Sequence, residues 1–217
     1  MVTLFNERNG ASLETAGDTG GIGDERMAAI LSGIEYAFQF TGLDPKRIKL
    51  VSVKTLPKGE VARVEPRLNG DVVVHVSKSE VVKRSIDEVE QVAFHEIAHL
   101  VEDRFASEKT LKKEQDNLVS FRSGGLKDLP QTTASKKLEK ALNDAGFDTF
   151  YDKKYGKITF TGKGKKIYEE LPETARKNAD LGGQDSELIA ESIRFVALYG
   201  YGKNEVADIV AGLFIGR

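Results

Sequence analysis

The spacing of apolar residues along the chain predicts helices near both of its ends. Residues 25–40 carry apolar side chains at helical intervals, and Asp24 precedes them as a candidate cap. Residues 186–200 and 204–216 show the same spacing on either side of a glycine-containing turn. We therefore expect one core-facing helix early in the chain and a pair of helices at its C-terminal end.

Two short segments between these helices have the composition and alternation of strands. Residues 48–54 are rich in β-branched side chains. In residues 71–77, with the sequence DVVVHVS, three valines fall on one face of a strand and Val73 and His75 on the other. The sequence therefore predicts two strands in the first half of the chain.

A capping box marks the start of the next helix. Ser85 is followed three residues later by Glu88, so each side chain can accept a hydrogen bond from the other residue's backbone N–H. Apolar spacing then continues from Ile86 to about residue 105. The sequence predicts one long helix here, with residues 95–99 near its middle.

The region of residues 107–184 is less regular and has the features of a small inserted α/β module. Residues 134–146 are predicted to form a helix, residues 147–162 a hairpin, and residues 165–171 a short helix. Because these elements lie between two predicted helical regions, we interpret them as a module inserted into the domain.

The N-terminal residues give no comparable pattern. Residues 1–23 end in the glycine-rich stretch GDTGGIGD, and we expect them to be flexible or loosely docked. The predicted organisation is a flexible segment, 1–23, followed by a single domain, 24–217, that contains the insert.

The amino-acid composition indicates which class of protein, globular, membrane or secreted, the chain belongs to. Hydrophobic residues make up 40% and charged residues 30% of the chain, as in soluble globular proteins. No run approaches the roughly 18 apolar residues of a membrane span, and no signal peptide is visible. We therefore expect no membrane partner and a cytoplasmic or phage-associated location, while the oligomeric state is not indicated.

The charge balance does not favour nucleic acid as a partner. The net charge is -2, although residues 107–180 hold 16 basic against 12 acidic side chains. This local excess could steer an acidic substrate or a nucleic acid, but a solvated face of the insert is the default explanation, and we do not expect nucleic acid as a partner. Similarly, the GKGKK stretch, residues 162–166, lacks the spacing of a phosphate loop and is interpreted as a solvated turn.

The most informative motif is VAFHEIAHLV, residues 92–101. His95 and His99 are four residues apart, so both imidazoles project from one helix face and can reach a single ion. Glu96 lies between them and can accept a proton from a metal-activated water. Since the chain has no cysteine, Zn²⁺ must be held by histidine and carboxylate, and we predict a zinc site here.

This segment resembles the HExxH zincin metallopeptidases, whose active-site helix carries the motif among uncharged residues. The resemblance covers roughly residues 71–103. It implies an α+β, zincin-like fold, with a small twisted sheet on the HExxH helix and a mostly helical C-terminal part containing the α/β insert. It also implies that DVVVHVS is the edge strand that pairs with the substrate.

A catalytic zinc needs a third protein ligand. The segment SELIAES resembles the second helix of gluzincins, particularly lethal-factor-like and phage-encoded members, in which Glu-x-x-Ala-Glu supplies it. Carried over by position, Glu187 is the ligand, and Glu191 is a carboxylate that orients a ligand histidine. Alternatively, both are solvated surface charges, with Glu191 paired to Arg194. Other candidate ligands are Asp185, Asp180 and His75.

The resemblance implies hydrolysis of a peptide bond, with Glu96 as general base on a zinc-activated water. Lethal-factor-like enzymes place an oxyanion-stabilising tyrosine about two turns before the ligand glutamate, whereas this chain has Ala-Asp-Leu-Gly-Gly in residues 179–183. The candidate substitutes, as oxyanion or substrate contacts, are His75, Tyr168, Tyr199 and Tyr201.

Three hypotheses therefore remain open. The first is a zinc metallopeptidase, an endopeptidase acting on a protein or peptide substrate. The second is a non-catalytic module of a phage or mobile element, structural or protein-binding, in which zinc staples two helices. The third is a protein-binding or nucleic-acid-binding role centred on the basic insert, with the zincin fold as scaffold.

Overall fold

The structure is a computed structural model that describes residues 1–67, 69–171 and 185–216. It is an α+β protein, and its chain divides into two compact units, Met1–Leu100 and Val101–Arg217. The sequence predicts instead one domain from residue 24 with an insert at about 107–184. The division after Leu100 falls directly behind the histidine motif, where no composition change marks it.

The first unit contains a four-stranded mixed sheet in the order β1-β2-β4-β3. β1, β2 and β4 are parallel neighbours, and β3 pairs with β4 in antiparallel register. The strands span Glu14–Gly17 (β1), Ile48–Lys54 (β2), Ala62–Pro66 (β3) and Val72–Ser77 (β4). The predicted strands at 48–54 and 71–77 are confirmed, and β1 and β3 were not predicted.

The position of β4 corrects one expectation. DVVVHVS was expected to be the edge strand, but β4 lies between β2 and β3, and every residue from Val72 to Ser77 is buried. A strand with neighbours on both sides and cover on both faces is typically rich in valine, as this one is. The strand at this edge is β3, whose sequence ARVEP alternates apolar and charged residues but is only five residues long and ends in proline.

The helices of the first unit are α1 (Val2–Asn9), α2 (Asp24–Thr41), α3 (Lys78–Val81) and α4 (Ile86–Ala98). α2 packs along α4, and Gly33 makes the close approach possible. A Cβ built on Gly33 would lie 2.2 Å from the Glu90 backbone oxygen, so no side chain fits there. The cap of α2 is Gly23, without a side-chain cap bond, and Asp24 is the first helical residue instead.

The N-terminal residues are folded, contrary to the expectation of a flexible segment 1–23. They form α1 and β1, and the side chains of Phe5, Leu13 and Ile22 are buried. Asn6 ties the two elements together, because its side chain donates to the Leu13 carbonyl and accepts from the Leu13 N–H. Few apolar residues hold this segment, so its sequence shows no periodicity.

The helix that carries the histidine motif begins as predicted and ends earlier. Both reciprocal bonds of the capping box between Ser85 and Glu88 are present. The α-helix ends at Ala98, and His99–Phe105 continues as a 3₁₀ helix, whereas the sequence predicts an unbroken helix to about residue 105. The motif therefore lies at the C-terminal end of α4, and His99 is its C-cap residue.

The second unit is mostly helical and contains one hairpin. Its elements are α5 (Glu108–Arg122), α6 (Thr133–Asp144), β5 (Thr149–Asp152), β6 (Lys157–Phe160), α7 (Gly162–Glu169), α8 (Asp185–Tyr199) and α9 (Glu205–Ile215). α9 packs against α6, α7 and α8 around a core that includes Leu138, Ile189, Ile193 and Val210. The hairpin and the helices at α6, α8 and α9 are confirmed, α5 was not predicted, and GKGKK is not a turn because it opens α7.

In the parts of the chain that the structure describes, no helix combines the length and the apolar character needed to span a membrane.

Candidate metal centre

The two histidines of α4 converge at their ring nitrogens. The Nε2 atoms of His95 and His99 are 3.1 Å apart, and the rings meet nearly edge to face at 89°. Two nitrogens that each ligate zinc at about 2.0–2.1 Å with tetrahedral angles would be roughly 3.3 Å apart. The spacing of the two imidazoles therefore fits a shared metal ion with little adjustment.

The surroundings of α4 hold these histidines in place. His95 is only 8% exposed, and Ile97 and Ala98 are fully buried. On a neighbouring part of the helix, the Phe94 ring packs 5.3 Å from Tyr36 and 6.0 Å from Phe40. A helix fixed by its capping box and by this packing has little freedom to rotate, so its histidines are presented in one orientation.

Glu96 contacts the edge strand of the sheet. Its Oε2 atom accepts a hydrogen bond from the Val64 backbone N–H of β3 at 2.9 Å. This bond orients the carboxylate between the HExxH helix and β3. The role of β3 could not be seen in the sequence, because the segment is short and half exposed.

The predicted third ligand, Glu187, lies in the first turn of α8 and is half-buried. Together His95, His99 and Glu187 form a group that could bind a metal ion, with one ligand atom from each within 4.8 Å of the others. Two imidazole nitrogens and one carboxylate oxygen are ligands that zinc and other divalent transition metals accept.

Within the second unit, Glu187 belongs to a group of acidic side chains. Burial, together with charge repulsion from Asp185, Asp103, Glu114 and Glu187, raises the pKa of Glu102 to about 8. Glu102 follows His99 by three residues, a helical spacing that would have singled it out in the sequence. Concentrated negative charge of this kind favours a cation, although carboxylate clusters also occur without one.

Asp185, a rival candidate for metal ligation, has a different set of contacts. One carboxylate oxygen accepts the Ile158 backbone N–H at 2.7 Å, and the other accepts the Ser135 hydroxyl. Burial raises the pKa of Asp185 to about 6 even though these two bonds lower it. The contacts link the start of α8 to β6 and α6, which makes Asp185 a residue that anchors the helix of Glu187.

Glu191 forms the ion pair that the alternative interpretation of α8 describes. Its Oε2 accepts from Arg194 Nε at 2.9 Å and from Arg194 Nη2 at 2.7 Å. The pair is not solvated, however, because the two side chains are only 3% and 17% exposed. Glu191 is therefore a buried, charge-paired residue, and its orientation of a ligand histidine stays a prediction.

His75 lies on β4 and is 7% exposed, so it is not an exposed edge residue. Its Nε2 bonds the Glu65 carboxylate across the strands at 2.8 Å, and this bond is the main cause that lowers the pKa of Glu65. The His75 Nδ1 atom is buried without a hydrogen-bond partner among the described residues. His75 is not part of the metal-binding group.

The tyrosines considered as oxyanion donors lie in the second unit. Tyr168 of α7 stacks on Phe160 of β6, with the ring centroids 5.0 Å apart. Tyr199 and Tyr201, at the end of α8 and just beyond it, are 57% and 43% exposed. Asp180 and residues 179–183 lie outside the described residues.

Comparisons with known proteins gave no match: no protein-family model fits the chain, and no curated protein or solved structure is significantly similar to it.

Proposed function

We propose that the protein is a zinc-dependent metallopeptidase of the zincin class, of gluzincin type, that hydrolyses peptide bonds. The observation that carries the proposal is the pair of Nε2 atoms 3.1 Å apart on a buried helix, with Glu96 between the two histidines. This arrangement meets the requirement for two protein ligands and an adjacent base.

In this proposal His95, His99 and Glu187 hold the ion. The donor set is two nitrogens and one oxygen, which fits Zn²⁺ and matches the three-ligand pattern of catalytic zinc sites. A bound zinc ion supplies Lewis-acid chemistry: it polarises a substrate carbonyl and makes a water molecule acidic enough to react near neutral pH.

Glu96 moves the proton. Its carboxylate takes a proton from the attacking water and returns it to the nitrogen of the departing amine, so that the peptide bond breaks into an acid and an amine. The hydrogen bond from the Val64 N–H holds one carboxylate oxygen and so restricts the side chain to one orientation. Such fixed positioning is what a general base requires.

The edge strand is the proposed contact for the substrate backbone. β3 pairs with β4 on one side only in the sheet order; three of its five residues are exposed and the other two are half-buried. An extended peptide can add to such an edge through main-chain hydrogen bonds. β3 replaces DVVVHVS in this role, because β4 already has two neighbouring strands.

A non-catalytic module that uses zinc as a staple is the second candidate. The bond between Glu96 and the Val64 N–H favours it, since the same contact can simply fasten β3 to α4. In that case Glu96 would contribute to stability and not to turnover.

The variant Glu96→Gln separates the two candidates. Glutamine still accepts the Val64 N–H but cannot take a proton, so we expect retained zinc and a fall in kcat/KM of about 10²–10⁴-fold on a cleaved peptide from a broad library. Glu90→Gln is the matched control on the same helix, where Glu90 accepts only the Ser32 hydroxyl in the contacts described. If the wild type with full zinc and the Glu96→Gln variant are equally inert, the protein is the non-catalytic module.

A further inference from the structure

The second unit carries one segment in which positive charge is concentrated. Residues 153–166 contain Lys153, Lys154, Lys157, Lys163, Lys165 and Lys166, and no Asp or Glu. The structure distributes them over the turn of the hairpin, β6 and the start of α7. We call the hairpin β5–β6 with α7 the lysine face; it extends beyond this segment and includes two acidic residues, Asp152 and Glu169.

Part of the lysine face surrounds a small cavity of about 220 Å³. Lys157 from β6 and Lys165 from α7 line it together with the hydroxyl-bearing Thr159 and with Glu169, whose carboxylate lies 3.9 Å from the Lys165 ammonium. The stacked rings of Phe160 and Tyr168 form a further part of its wall. Two ammonium groups and a hydroxyl around a concave space are contacts that a phosphate group accepts. The pair of Lys165 with Glu169 is exposed and therefore weak, so a phosphate can displace the carboxylate.

The lysine face also exposes aromatic rings. Phe150 on β5 is 49% exposed, and Tyr155 in the hairpin turn is 54% exposed. The Lys154 ammonium lies 5.2 Å from the centroid of the Tyr155 ring. Exposed rings next to lysines provide surfaces on which unpaired bases stack, at about 1–3 kcal/mol per base.

We infer that the lysine face binds single-stranded nucleic acid, with phosphates at Lys157 and Lys165 and bases on Phe150 and Tyr155. The protein's net charge of -2 gives no overall attraction, so binding depends on this local concentration of lysines. Single strands fit better than duplexes, because the exposed rings can stack only on bases that are not paired.

The affinity should depend steeply on salt. Each phosphate neutralised on a single strand contributes about -0.7 to the slope of log K against log salt. With four to six lysines engaged, a slope of roughly -3 to -4 is expected. The double variant Lys157→Gln/Lys165→Gln should make this slope less negative by about 1.4 and weaken binding at least tenfold at low salt.

The experiment measures fluorescence anisotropy of a labelled oligothymidylate of about 20 nucleotides with the full chain, between about 50 and 200 mM salt. Lys46→Gln/Lys58→Gln removes the same charge from exposed positions in the first unit and should bind like the wild type. Lys157→Arg/Lys165→Arg should retain binding, which separates the loss of charge from a loss of folding.

Three results would overturn the inference. One is binding by the wild type that is absent or independent of salt. Another is an equal loss of affinity in both glutamine double variants. The third concerns a protein-like competitor. If polyglutamate of matched charge binds as tightly as the oligonucleotide, the face recognises acidic protein instead, and the inference for nucleic acid is wrong.

Discussion

The helices α4 and α8 both carry buried charged or polar residues, and they differ in what those residues contact. On α8, Asp185 accepts from Ser135 and Ile158, and Glu191 is bound twice by Arg194. On α4, the two imidazoles face each other at 3.1 Å. A buried carboxylate that already accepts hydrogen bonds from protein donors stabilises the fold. Two imidazole nitrogens that face each other are instead stabilised most by a bound cation.

The difference assigns separate tasks to the two helices. α4 presents His95, Glu96 and His99, and Glu187 is the residue of α8 that belongs with them. The neighbours of Glu187 along α8, Asp185 and Glu191, hold that helix in its unit. Substitutions on α4 should therefore change metal binding first, and substitutions of the neighbouring α8 residues should change stability first.

The largest effect is expected for zinc binding by His95→Ala. With one of two imidazoles removed, affinity should fall on the order of a thousandfold, about 4 kcal/mol, as measured by competition with a chelator. Glu187→Gln should weaken zinc less, because it replaces a charged ligand with a weak neutral one. His75→Ala is the control histidine and should bind zinc like the wild type; equal losses in the His75 and His95 variants would contradict the assignment.

Arg194→Met should produce the largest loss of stability on α8. It leaves the Glu191 carboxylate buried without its arginine, which costs about 3 kcal/mol of unfolding free energy. Urea denaturation of the zinc-free protein measures this directly. Arg8→Met is the control, because Arg8 is 67% exposed and its pair with Glu35 contributes little. A large change in zinc affinity with unchanged stability would assign Glu191 to the metal site instead.

Asp185→Ala should destabilise by about 2 kcal/mol, because the Ile158 N–H and the Ser135 hydroxyl lose a shared acceptor. Ser135→Ala removes only one of the two bonds and should cost about half as much. The same urea titration tests both variants. If Asp185→Ala abolishes zinc binding while the unfolding free energy is unchanged, Asp185 is a ligand and not an anchor of α8.

The smallest effect concerns Glu65 and the pH dependence of stability. The bond from His75 lowers the pKa of Glu65 in the folded state, so its contribution is present above the ordinary glutamate pKa and is lost as the pH falls through the lowered value. Glu65→Gln should cost less than about 1 kcal/mol at neutral pH and nothing at strongly acidic pH. Thermal melts at both pH values check this; a difference that grows on acidification would show the opposite linkage.

Much of the first unit could be predicted from the sequence, because its signals are local. β2 and β4 have dense valine and isoleucine, and Ser85 with Glu88 forms the capping box that the spacing indicates. β3 was not predicted, since its alternation of apolar and charged residues extends over only five positions and ends at a proline. The change from α to 3₁₀ helix at His99 depends on packing, which no local pattern encodes.

The candidate site divides in the same way. His95, Glu96 and His99 follow from one helical spacing, but the bond from Val64 to Glu96 joins residues 32 positions apart. The sequence predicts the pairing of Glu191 with Arg194 as one alternative, but it does not predict that the pair is buried. Burial is a property of the assembled core, so the same i,i+3 pair in a sequence is compatible with either environment.

The contact of Gly33 with the backbone of α4 has a consequence for how the protein can vary. The Glu90 oxygen occupies the space where any larger residue would place its Cβ, and Ala93 is only 3.0 Å from the same point. Mutation at this glycine would push α4 outward and carry both histidines with it, although Gly33 touches neither of them. Gly33 should therefore tolerate substitution poorly although it has no side chain that could bind a metal. In a mutational scan scored by zinc retention, it should appear among the sensitive positions together with the ligand residues.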